Sequence, residues 1–439
     1  MKRVIQSRSP AALPIIIFFF LSVFAGCGSK AATNGTDVST TSDERTGTST
    51  VTRDSASVKA IQDDMSRIRG LPAKSDIAVK YLNRDQLKVE LEEAMKKSMP
   101  PEEAEADEKV LKALGLLKPG ENLDELISTM LGEEITGYYD IDTKNLAIIG
   151  DSQEMSLMDQ VTLSHEITHA LQDQNFDMQR IVPTRGTGNS DSDLARTALV
   201  EGDASLAMSE YMRTRLSMRE ALSLGLGSLG ATSNMKEMPA FLESQLVFPY
   251  TEGEAFVTYI KGLDSWDRVN AAYQKPPEST EQVMHPEKYL SGEQPVAVVI
   301  PDLTGTVGAD WKPEDEDALG EFDVLTILSE NLTSAQASRA STGWGGGRYR
   351  YYQQPDGSLL LVILLAWDSS ADADEFSSAM GTSLEKRYGE KFVFTSGKAP
   401  LLSTLDGTWS VEQHGNSVAV VMSPDATQTA MVADLILGL

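Results

Sequence analysis

The amino-acid sequence predicts an α+β fold, in which a mainly helical domain with one short strand hairpin precedes a smaller α+β domain with antiparallel hairpins. Three observations predict this fold. Apolar residues recur at helical spacing through most of residues 58–295. Within that stretch, the pattern changes to short strands only around residues 137–149. After about residue 295, two hairpin signals alternate with helical stretches, which indicates a separate domain over residues 296–439.

The first 27 residues carry the pattern of an export signal. Basic residues are followed by an apolar run, Ala11–Phe24, and then by small residues and Cys27, the only cysteine of the chain. The apolar run is shorter than the roughly 20 residues that a membrane-spanning helix needs. The segment resembles bacterial lipoprotein signals, and this resemblance implies lipidation of Cys27, export, and a lipid anchor on the outer face of a bacterial membrane. The alternative is an ordinary signal peptide, or an uncleaved anchor, with an incidental cysteine.

Composition excludes several function classes. Residues 28–57 contain 14 Ser or Thr in 30 positions and almost no large apolar side chain, so we expect a disordered linker that cannot bury enough surface to fold. The whole chain has 65 acidic against 38 basic residues, a net charge of −27. Without a cationic surface to displace the counterions of phosphates, nucleic-acid binding is excluded. A single cysteine also excludes a disulfide-stapled scaffold.

The first domain is predicted to begin with helices. Ile61, Met65 and Ile68 share one helical face, and similar spacing continues to about residue 118. Two short strands, Gly137–Tyr139 and Asn145–Ile149, then flank a turn, which predicts a hairpin. Because the second strand directly precedes the next helix, we expect it to be an edge strand to which an extended peptide could add.

The remaining elements follow from the same two periodicities and from turn residues. Pro355-Asp356-Gly357 and Gly415-Asn416 separate strand-like runs, so each predicts a hairpin in the second domain. The glycines of residues 343–347 lack the Lys-Ser/Thr pair of phosphate-binding loops, so they predict a turn or close packing. The predicted helices cover residues 123–131, 157–175, 193–216, 241–261, 371–388 and 428–437, a loop covers residues 183–192, and predicted strands cover residues 296–300, 348–352 and 359–367 and the hairpin 409–422.

The helix predicted over residues 157–175 contains the pattern H-E-x-x-H, formed by His165, Glu166 and His169. Residues at positions i and i+4 of an α-helix lie on one face, so the two histidines can direct a ring nitrogen to one metal ion. Imidazole nitrogens suit Zn²⁺, and a catalytic zinc keeps three protein ligands and one open position. Glu166 can reach the water at such a site and act as its general base. Only four histidines occur in the chain, which makes a chance match improbable.

A zinc site needs a third ligand, and Glu201 in the next long helix is the candidate. Its neighbours are apolar, which places it on a buried face where a lone carboxylate would be costly, and coordination of a metal ion would remove that cost. His165, His169 and Glu201 together resemble the ligand set of the gluzincin metallopeptidases. The resemblance implies a zincin-like fold for residues 58–295, Zn²⁺ as the cofactor, and Glu166 as the general base.

Ligand histidines usually donate their second ring nitrogen to a carboxylate or another acceptor. Many gluzincins have an acidic residue four positions after the third ligand, where this chain has Ser205. Asp203 and Asp173 are therefore the candidates for this role. The alternative for each is a solvated carboxylate on a helix surface.

Peptide hydrolysis also needs a hydrogen-bond donor for the negative charge that develops on the carbonyl oxygen. His285 is preferred because it precedes Pro286 in a loop-like stretch, and Tyr250 and Tyr259 are the other candidates. The alternative for each of them is a structural or surface role.

Beyond the motif, the chain resembles a group of secreted bacterial proteins of the zinc-peptidase kind. The resemblance extends over much of residues 60–390 and is carried by the segments Gly137–Asp140, His165–Asp177, Glu201–Ala204 and Ser279–Pro286. It implies an extracytoplasmic zinc-dependent peptidase that acts on a peptide or protein and is held at the membrane by its lipid. The main alternative is a non-catalytic, metal-stabilised surface lipoprotein that binds an envelope partner. Hydrolysis of a non-peptide substrate is a third reading, because a ligand set specifies the chemistry better than the substrate.

Overall fold

The computed structural model describes residues 51–52, 55–90, 101–127, 137–149, 154–182, 187–220, 224, 238–395 and 399–439. These residues form a mixed α+β fold with sheets of two, three and six strands, which confirms the predicted fold class. The predicted export signal with Cys27 and most of the predicted linker lie outside the described residues. Among the helices that are described, none combines the length and the apolar character needed to cross a lipid bilayer.

The first unit is built mainly from helices. The helices predicted over residues 157–175, 193–216 and 241–261 are confirmed, and the last one extends past a break at Asp264 and Ser265. The described elements are, in chain order, β1 (Val51–Thr52), α1 (Ser55–Arg69), β2 (Ala78–Leu82), α2 (Pro101–Leu114), β3 (Gly137–Asp140), β4 (Asn145–Ile149), β5 (Glu154–Met155), α3 (Leu157–Phe176), α4 (Met178–Ile181), α5 (Ser190–Arg215), α6 (Ala240–Ala272), α7 (Thr280–Met284) and α8 (Pro286–Ser291).

The second unit alternates helices with the strands of one antiparallel sheet. The two predicted hairpins and the helices predicted over residues 371–388 and 428–437 are confirmed. The elements are, in chain order, α9 (Thr304–Val307), β6 (Lys312–Ala318), α10 (Glu321–Ser329), α11 (Ser334–Ser341), β7 (Trp344–Gln353), β8 (Leu359–Trp367), α12 (Ser370–Tyr388), β9 (Leu401–Ser403), β10 (Thr408–His414), β11 (Ser417–Ser423) and α13 (Ala426–Leu437). The strand order in the sheet is β6-β7-β8-β11-β10-β9.

The three-stranded sheet corrects two expectations. β4 lies between β2 and β3, so it is the central strand and not the predicted edge strand, although its hairpin with β3 is confirmed. β2, which lies where helical periodicity was expected, pairs with β4 in parallel and places Ala78 opposite Asn145. Val79 and Tyr81 favour strands, but this short stretch gains its hydrogen-bonding partner only when the chain folds back on itself.

Part of the predicted linker, residues 28–57, has regular structure. β1, within the predicted linker, pairs with β5 and places Val51 opposite Met155, and α1 begins at Ser55. The helix predicted over residues 123–131 is described over residues 123–127, where it is helical. Residues 91–100, which are also predicted to be helical, lie outside the described part of the chain.

α3 is a buried helix whose sequence explains both of its ends. The Ser156 hydroxyl accepts a hydrogen bond from the Asp159 N–H at 3.0 Å, and the Asp159 carboxylate accepts one from the Ser156 N–H at 2.8 Å, which forms a capping box. Asp177 ends the helix in a left-handed conformation with a φ of 58°. Residues 161–173 are buried without interruption, so the polar side chains of this helix need partners inside the protein.

α5 and α6 cross at two glycines that allow their backbones to touch. A Cβ at Gly202 would lie 2.6 Å from the Glu254 nitrogen, and one at Gly253 would lie 2.9 Å from the Ala198 carbonyl carbon. Real Cβ atoms essentially never approach another atom within 3.0 Å. Gly202 directly follows Glu201, so this close crossing determines where α5 presents that carboxylate.

The glycines at the start of β7 pack closely, as predicted, and they contact a stretch that was expected to be a strand. The Val296 N–H donates to the Gly345 carbonyl oxygen at 2.6 Å, and a Cβ at Gly346 would lie 3.2 Å from the Val296 carbonyl carbon. Residues 296–300 are irregular in the structure, which corrects the strand expected there. The close approach to the glycines holds this stretch beside the sheet without a strand ladder.

One helix of the first half of the chain belongs to the core of the second unit. Val110 and Leu114 of α2 pack with buried side chains of the six-stranded sheet and of α12. Arg387 of α12 donates to the carbonyl oxygens of Ala113 at 2.6 Å and Lys112 at 3.0 Å, which satisfies the C-terminal end of α2. The two units therefore share packing through a helix that the sequence places entirely in the first.

Candidate metal centre

His165 and His169 lie on one face of α3, as their four-residue spacing predicts. Their ring centroids are 4.6 Å apart, and the two Nε2 atoms are 2.9 Å apart. Both face the protein interior, with side chains that are 1% and 8% exposed. The two imidazoles therefore converge on one buried point.

α5 brings Glu201 to the same point. Its Oε2 lies 2.9 Å from His165 Nε2 and 3.5 Å from His169 Nε2. Zn–N bonds of about 2.0–2.1 Å at the tetrahedral angle imply ligand atoms roughly 3.3 Å apart. The three atoms, which we call the metal cluster, are thus spaced as the ligands of one such ion would be.

The electrostatics of the cluster favour positive charge at its centre. Burial alone would raise the pKa of Glu201, but the two adjacent imidazoles hold that pKa below its ordinary value. Burial alone would lower the pKa of His169, but the carboxylates of Glu201 and Glu166 raise it. The carboxylates therefore stabilise either a proton or a metal cation between the ligand atoms.

Two buried atoms of the cluster residues, Glu201 Oε1 and His165 Nδ1, have no hydrogen-bond partner in the described part of the chain. A buried polar atom without a partner costs about 1–3 kcal/mol. A metal ion supplies the positive charge that the unpaired carboxylate oxygen needs. Two imidazoles and one carboxylate are also a ligand set that catalytic zinc uses, so these residues fit Zn²⁺.

Glu166 and Tyr250 flank the cluster. Glu166 is buried beside Gly137, the first residue of β3. Its Cγ lies 3.6 Å from the position that a Cβ would take on that glycine. Its carboxylate is within electrostatic range of His169 and Tyr250. The Tyr250 ring centroid lies 6.1 Å from that of His165, and burial together with the nearby carboxylates raises the pKa of the Tyr250 hydroxyl. The hydroxyl therefore stays protonated and can donate a hydrogen bond beside the ligands.

Gln172, which was not among the predicted site residues, holds the second ring nitrogen of His169. Its Oε1 lies 2.8 Å from His169 Nδ1, and its Nε2 donates to the Val200 carbonyl oxygen and to Asp203 Oδ2, each at 3.0 Å. Because both acceptors require the NH₂ end of the amide, the oxygen end accepts from Nδ1–H of His169. The signal for Gln172 in the sequence is its position three residues after His169, on the same helical face.

Asp203 acts one residue further from the cluster than expected. It is fully buried, and it accepts hydrogen bonds from Gln172, from the Tyr273 hydroxyl at 2.7 Å and from Arg69 Nε. The expectation that Asp203 holds an imidazole is therefore corrected. The longer amide side chain of Gln172 fills the space between Asp203 and His169.

Asp173 is not beside a ligand histidine, which corrects the second candidate for that role. It accepts hydrogen bonds from the Tyr139 hydroxyl and from Lys144 Nζ, each at 2.8 Å. A side chain four residues after His169 lies near the same helical face, but the ion pair and the tyrosine draw this carboxylate toward the β3–β4 hairpin.

His285 is not a member of the metal cluster. Its Nε2 lies 3.0 Å from Glu321 Oε1, at the first residue of α10 in the second unit. This carboxylate holds one of the two ring nitrogens of His285, and the expectation that His285 donates to a reacting carbonyl stays a prediction. Tyr259 is exposed on α6. Among the predicted donors, Tyr250 has its ring near a ligand histidine, with centroids 6.1 Å apart.

A second group of carboxylates, Glu281, Glu293 and Asp368, lies close enough together to suggest a cation site. The ammonium group of Lys288 occupies it, at 2.6 Å, 2.8 Å and 2.7 Å from oxygens of these three residues. This group is therefore an ion-pair network that joins the two units.

Residues 309–433 match the model of a family described as a domain of unknown function (DUF8575). The matched stretch runs from just before β6 into α13, so it covers most of the second unit and leaves the metal cluster outside. Comparisons with curated proteins and with solved structures each found no match.

Proposed function

We propose that the protein is a zinc-dependent peptidase of the gluzincin type that acts outside the cytoplasm. The observation that carries the proposal is the convergence of ligand atoms from His165, His169 and Glu201 within 3.5 Å of one another in the interior. Two helices supply them, α3 with the two histidines and α5 with the carboxylate. This arrangement also supports a zincin-like character for the first unit.

The roles follow from the positions of the side chains. His165, His169 and Glu201 would hold the ion. When bound, Zn²⁺ supplies Lewis acidity, which favours deprotonation of water and polarises a carbonyl group. Glu166 accepts a proton from the attacking water and returns it to the departing amine. The protonated hydroxyl of Tyr250 donates a hydrogen bond to the developing charge on the carbonyl oxygen.

The test measures metal content and hydrolysis on the same purified full-length protein. We expect one zinc ion per chain and cleavage of an unfolded protein substrate. Glu166→Gln preserves side-chain volume, so zinc should remain while hydrolysis falls about 10²–10⁴-fold. Glu243→Gln, an exposed position in the first turn of α6, is the matched control and should change neither quantity. Equal hydrolysis by the wild type and Glu166→Gln would refute the catalytic role, and a wild type that binds no zinc would refute the metal site.

A second candidate function is favoured by the burial of the cluster. Side chains of His165 and Glu201 that are only 1% exposed suit a structural ion, held in a surface module that binds an envelope partner. The two functions differ in whether a coordination position is open. Cobalt substitution followed by addition of a hydroxamate distinguishes them: a change in the visible spectrum indicates an open position and supports the peptidase. An unchanged spectrum, together with no hydrolysis, supports the structural module.

We further propose that the chain is exported and lipid-anchored through Cys27, which the sequence pattern around that residue supports. Cells fed a labelled fatty acid should label the wild-type protein and leave Cys27→Ser unlabelled. Unlabelled wild-type protein in the membrane fraction would contradict the lipid anchor.

A further inference from the structure

Behind the metal cluster lies a chain of buried polar groups. His169 contacts Gln172 through Nδ1, and Gln172 contacts Asp203, which in turn pairs with Arg69 and accepts from the Tyr273 hydroxyl. The partners come from α1, α3 and α5 and from Tyr273, the residue that caps the C-terminal end of α6. Four helices therefore meet at Asp203, two side chains away from a candidate metal ligand.

Burying these polar groups costs free energy of folding. Arg69 and Asp203 are both 0% exposed, and two guanidinium nitrogens of Arg69 have no hydrogen-bond partner in the described part of the chain. A buried ion pair of this kind is often no more stabilising than well-packed apolar residues of the same volume. Stability alone therefore does not account for its presence.

The backbone of α6 is distorted just before Trp266, eight residues before Tyr273 follows the end of the helix. Ser265 has a φ of 68° and a ψ of −170°, a region that residues other than glycine rarely adopt. The next residue, Trp266, packs its ring 4.3 Å from the Arg69 guanidinium carbon, and the helix that follows the break carries Tyr273 to Asp203. The break thus allows one helix to support both members of the ion pair.

The consequence at the cluster is a defined protonation pattern on His169. Gln172 can accept from Nδ1–H only while its NH₂ group is held by Asp203 and the Val200 carbonyl oxygen, each at 3.0 Å. An imidazole with its proton on Nδ1 has a free electron pair on Nε2, which is the form that binds a metal. If the support were lost, the amide could rotate and the ring could adopt the other tautomer.

We propose that Gln172, Asp203, Arg69 and Tyr273 form a positioning network that holds His169 in the Nδ1–H tautomer and thereby sets the affinity of the site for Zn²⁺. The inference rests on the proposed metal site, but not on hydrolysis. The four residues are positioning residues, because each acts on the site through His169.

The experiment measures the Kd for Zn²⁺ by chelator competition on the full-length protein. Gln172→Leu should raise this Kd about 10–100-fold, as removal of such outer partners usually does. Tyr273→Phe keeps the ring and removes one hydroxyl, so it should raise the Kd about 2–10-fold. Gln174→Leu is the matched control: this side chain lies on the same helix, but it accepts from the Lys74 N–H at 2.7 Å and should leave the Kd unchanged.

A second readout needs no metal. Ring-nitrogen chemical shifts of ¹⁵N-labelled histidine are recorded above the raised pKa of His169, where the ring is neutral. They should place the His169 proton on Nδ1 in the metal-free wild type and in Gln174→Leu. In Tyr273→Phe and Gln172→Leu, a fraction should move to Nε2. A wild-type Kd in Gln172→Leu and Tyr273→Phe, or a wild-type proton on Nε2, would overturn the network. A wild type that binds no zinc while its proton lies on Nδ1 would instead count against the metal site.

Discussion

The crossing of α5 and α6 predicts that a single methyl group at Gly253 disturbs the metal site. In Gly253→Ala the added Cβ would lie 2.9 Å from the Ala198 carbonyl carbon and closer still to its oxygen, whereas ordinary contact begins at 3.4 Å. The atoms that it meets are backbone atoms, so no side chain can rotate away. The two helices must therefore separate by at least ~0.5 Å, because interiors are close-packed and cannot absorb the overlap elsewhere.

The magnitude follows from two opposing effects. Overpacking that forces backbone shifts costs typically about 1–3 kcal/mol, and a rigid backbone contact belongs at the upper end. Alanine gains about 1 kcal/mol over glycine in a helix interior. We therefore expect Gly253→Ala to lower the free energy of unfolding by about 2 kcal/mol. Gly262→Ala, in the same helix with no atom within 4 Å of the added Cβ, should raise it by up to about 1 kcal/mol.

Thermal unfolding of the two variants and the wild type, monitored by circular dichroism, tests whether the two substitutions change stability in opposite directions. Tyr250 lies one turn before Gly253, and Glu201 directly precedes Gly202 in the facing helix, so separation also displaces both groups. We expect the Kd for Zn²⁺ to rise in Gly253→Ala and to remain unchanged in Gly262→Ala. If Gly253→Ala raised the melting temperature as much as Gly262→Ala does, the inferred backbone contact would be refuted.

Three further predictions concern metal, pH and the junction between the units. Chelation should lower the melting temperature, and Zn²⁺ but not Mg²⁺ should restore it, since binding to the folded state alone stabilises it; no change on chelation would argue against a bound ion. Burial raises the pKa of Asp191 from 3.8 to about 8, so the folded chain keeps a proton that the unfolded chain loses near pH 4. The contribution of Asp191 to the free energy of unfolding therefore falls between pH 4 and pH 8, by at most about 1.4 kcal/mol per pH unit. In Asp191→Asn the free energy of unfolding should fall less steeply over this range, and equal slopes in the two proteins would contradict the prediction. Arg387→Met removes both hydrogen bonds to the end of α2, so it should lower the free energy of unfolding in denaturant by about 1–3 kcal/mol. Lys386→Met, at an exposed position on the same helix, is the control and should lower it by less than half as much.

Much of the fold and the inner part of the candidate site follows from local sequence pattern. A helix with two histidines four residues apart must present both to one side, whatever surrounds it. The hairpins around Pro355-Asp356-Gly357 and Gly415-Asn416 follow from turn residues whose backbone preferences act over a few positions. Such features depend on neighbours in the chain, so the sequence alone determines them.

Other features depend on which distant segments meet. β2 becomes a strand because β4 lies beside it, and that pairing also makes β4 the central strand. α2 is predictable as a helix, but only the tertiary structure places its apolar face on the sheet of the second unit.

At the site, the sequence by itself determined which residue types could bind a metal, and it selected Glu201 because an isolated buried carboxylate needs a cation. Only the tertiary structure decided which side chain supports His169. In the folded protein Gln172 contacts His169, Asp203 pairs with Arg69, and His285 pairs with Glu321. The physical reason is that hydrogen-bond partners are chosen by distances of about 3 Å between segments far apart in the chain, and no local periodicity encodes those distances.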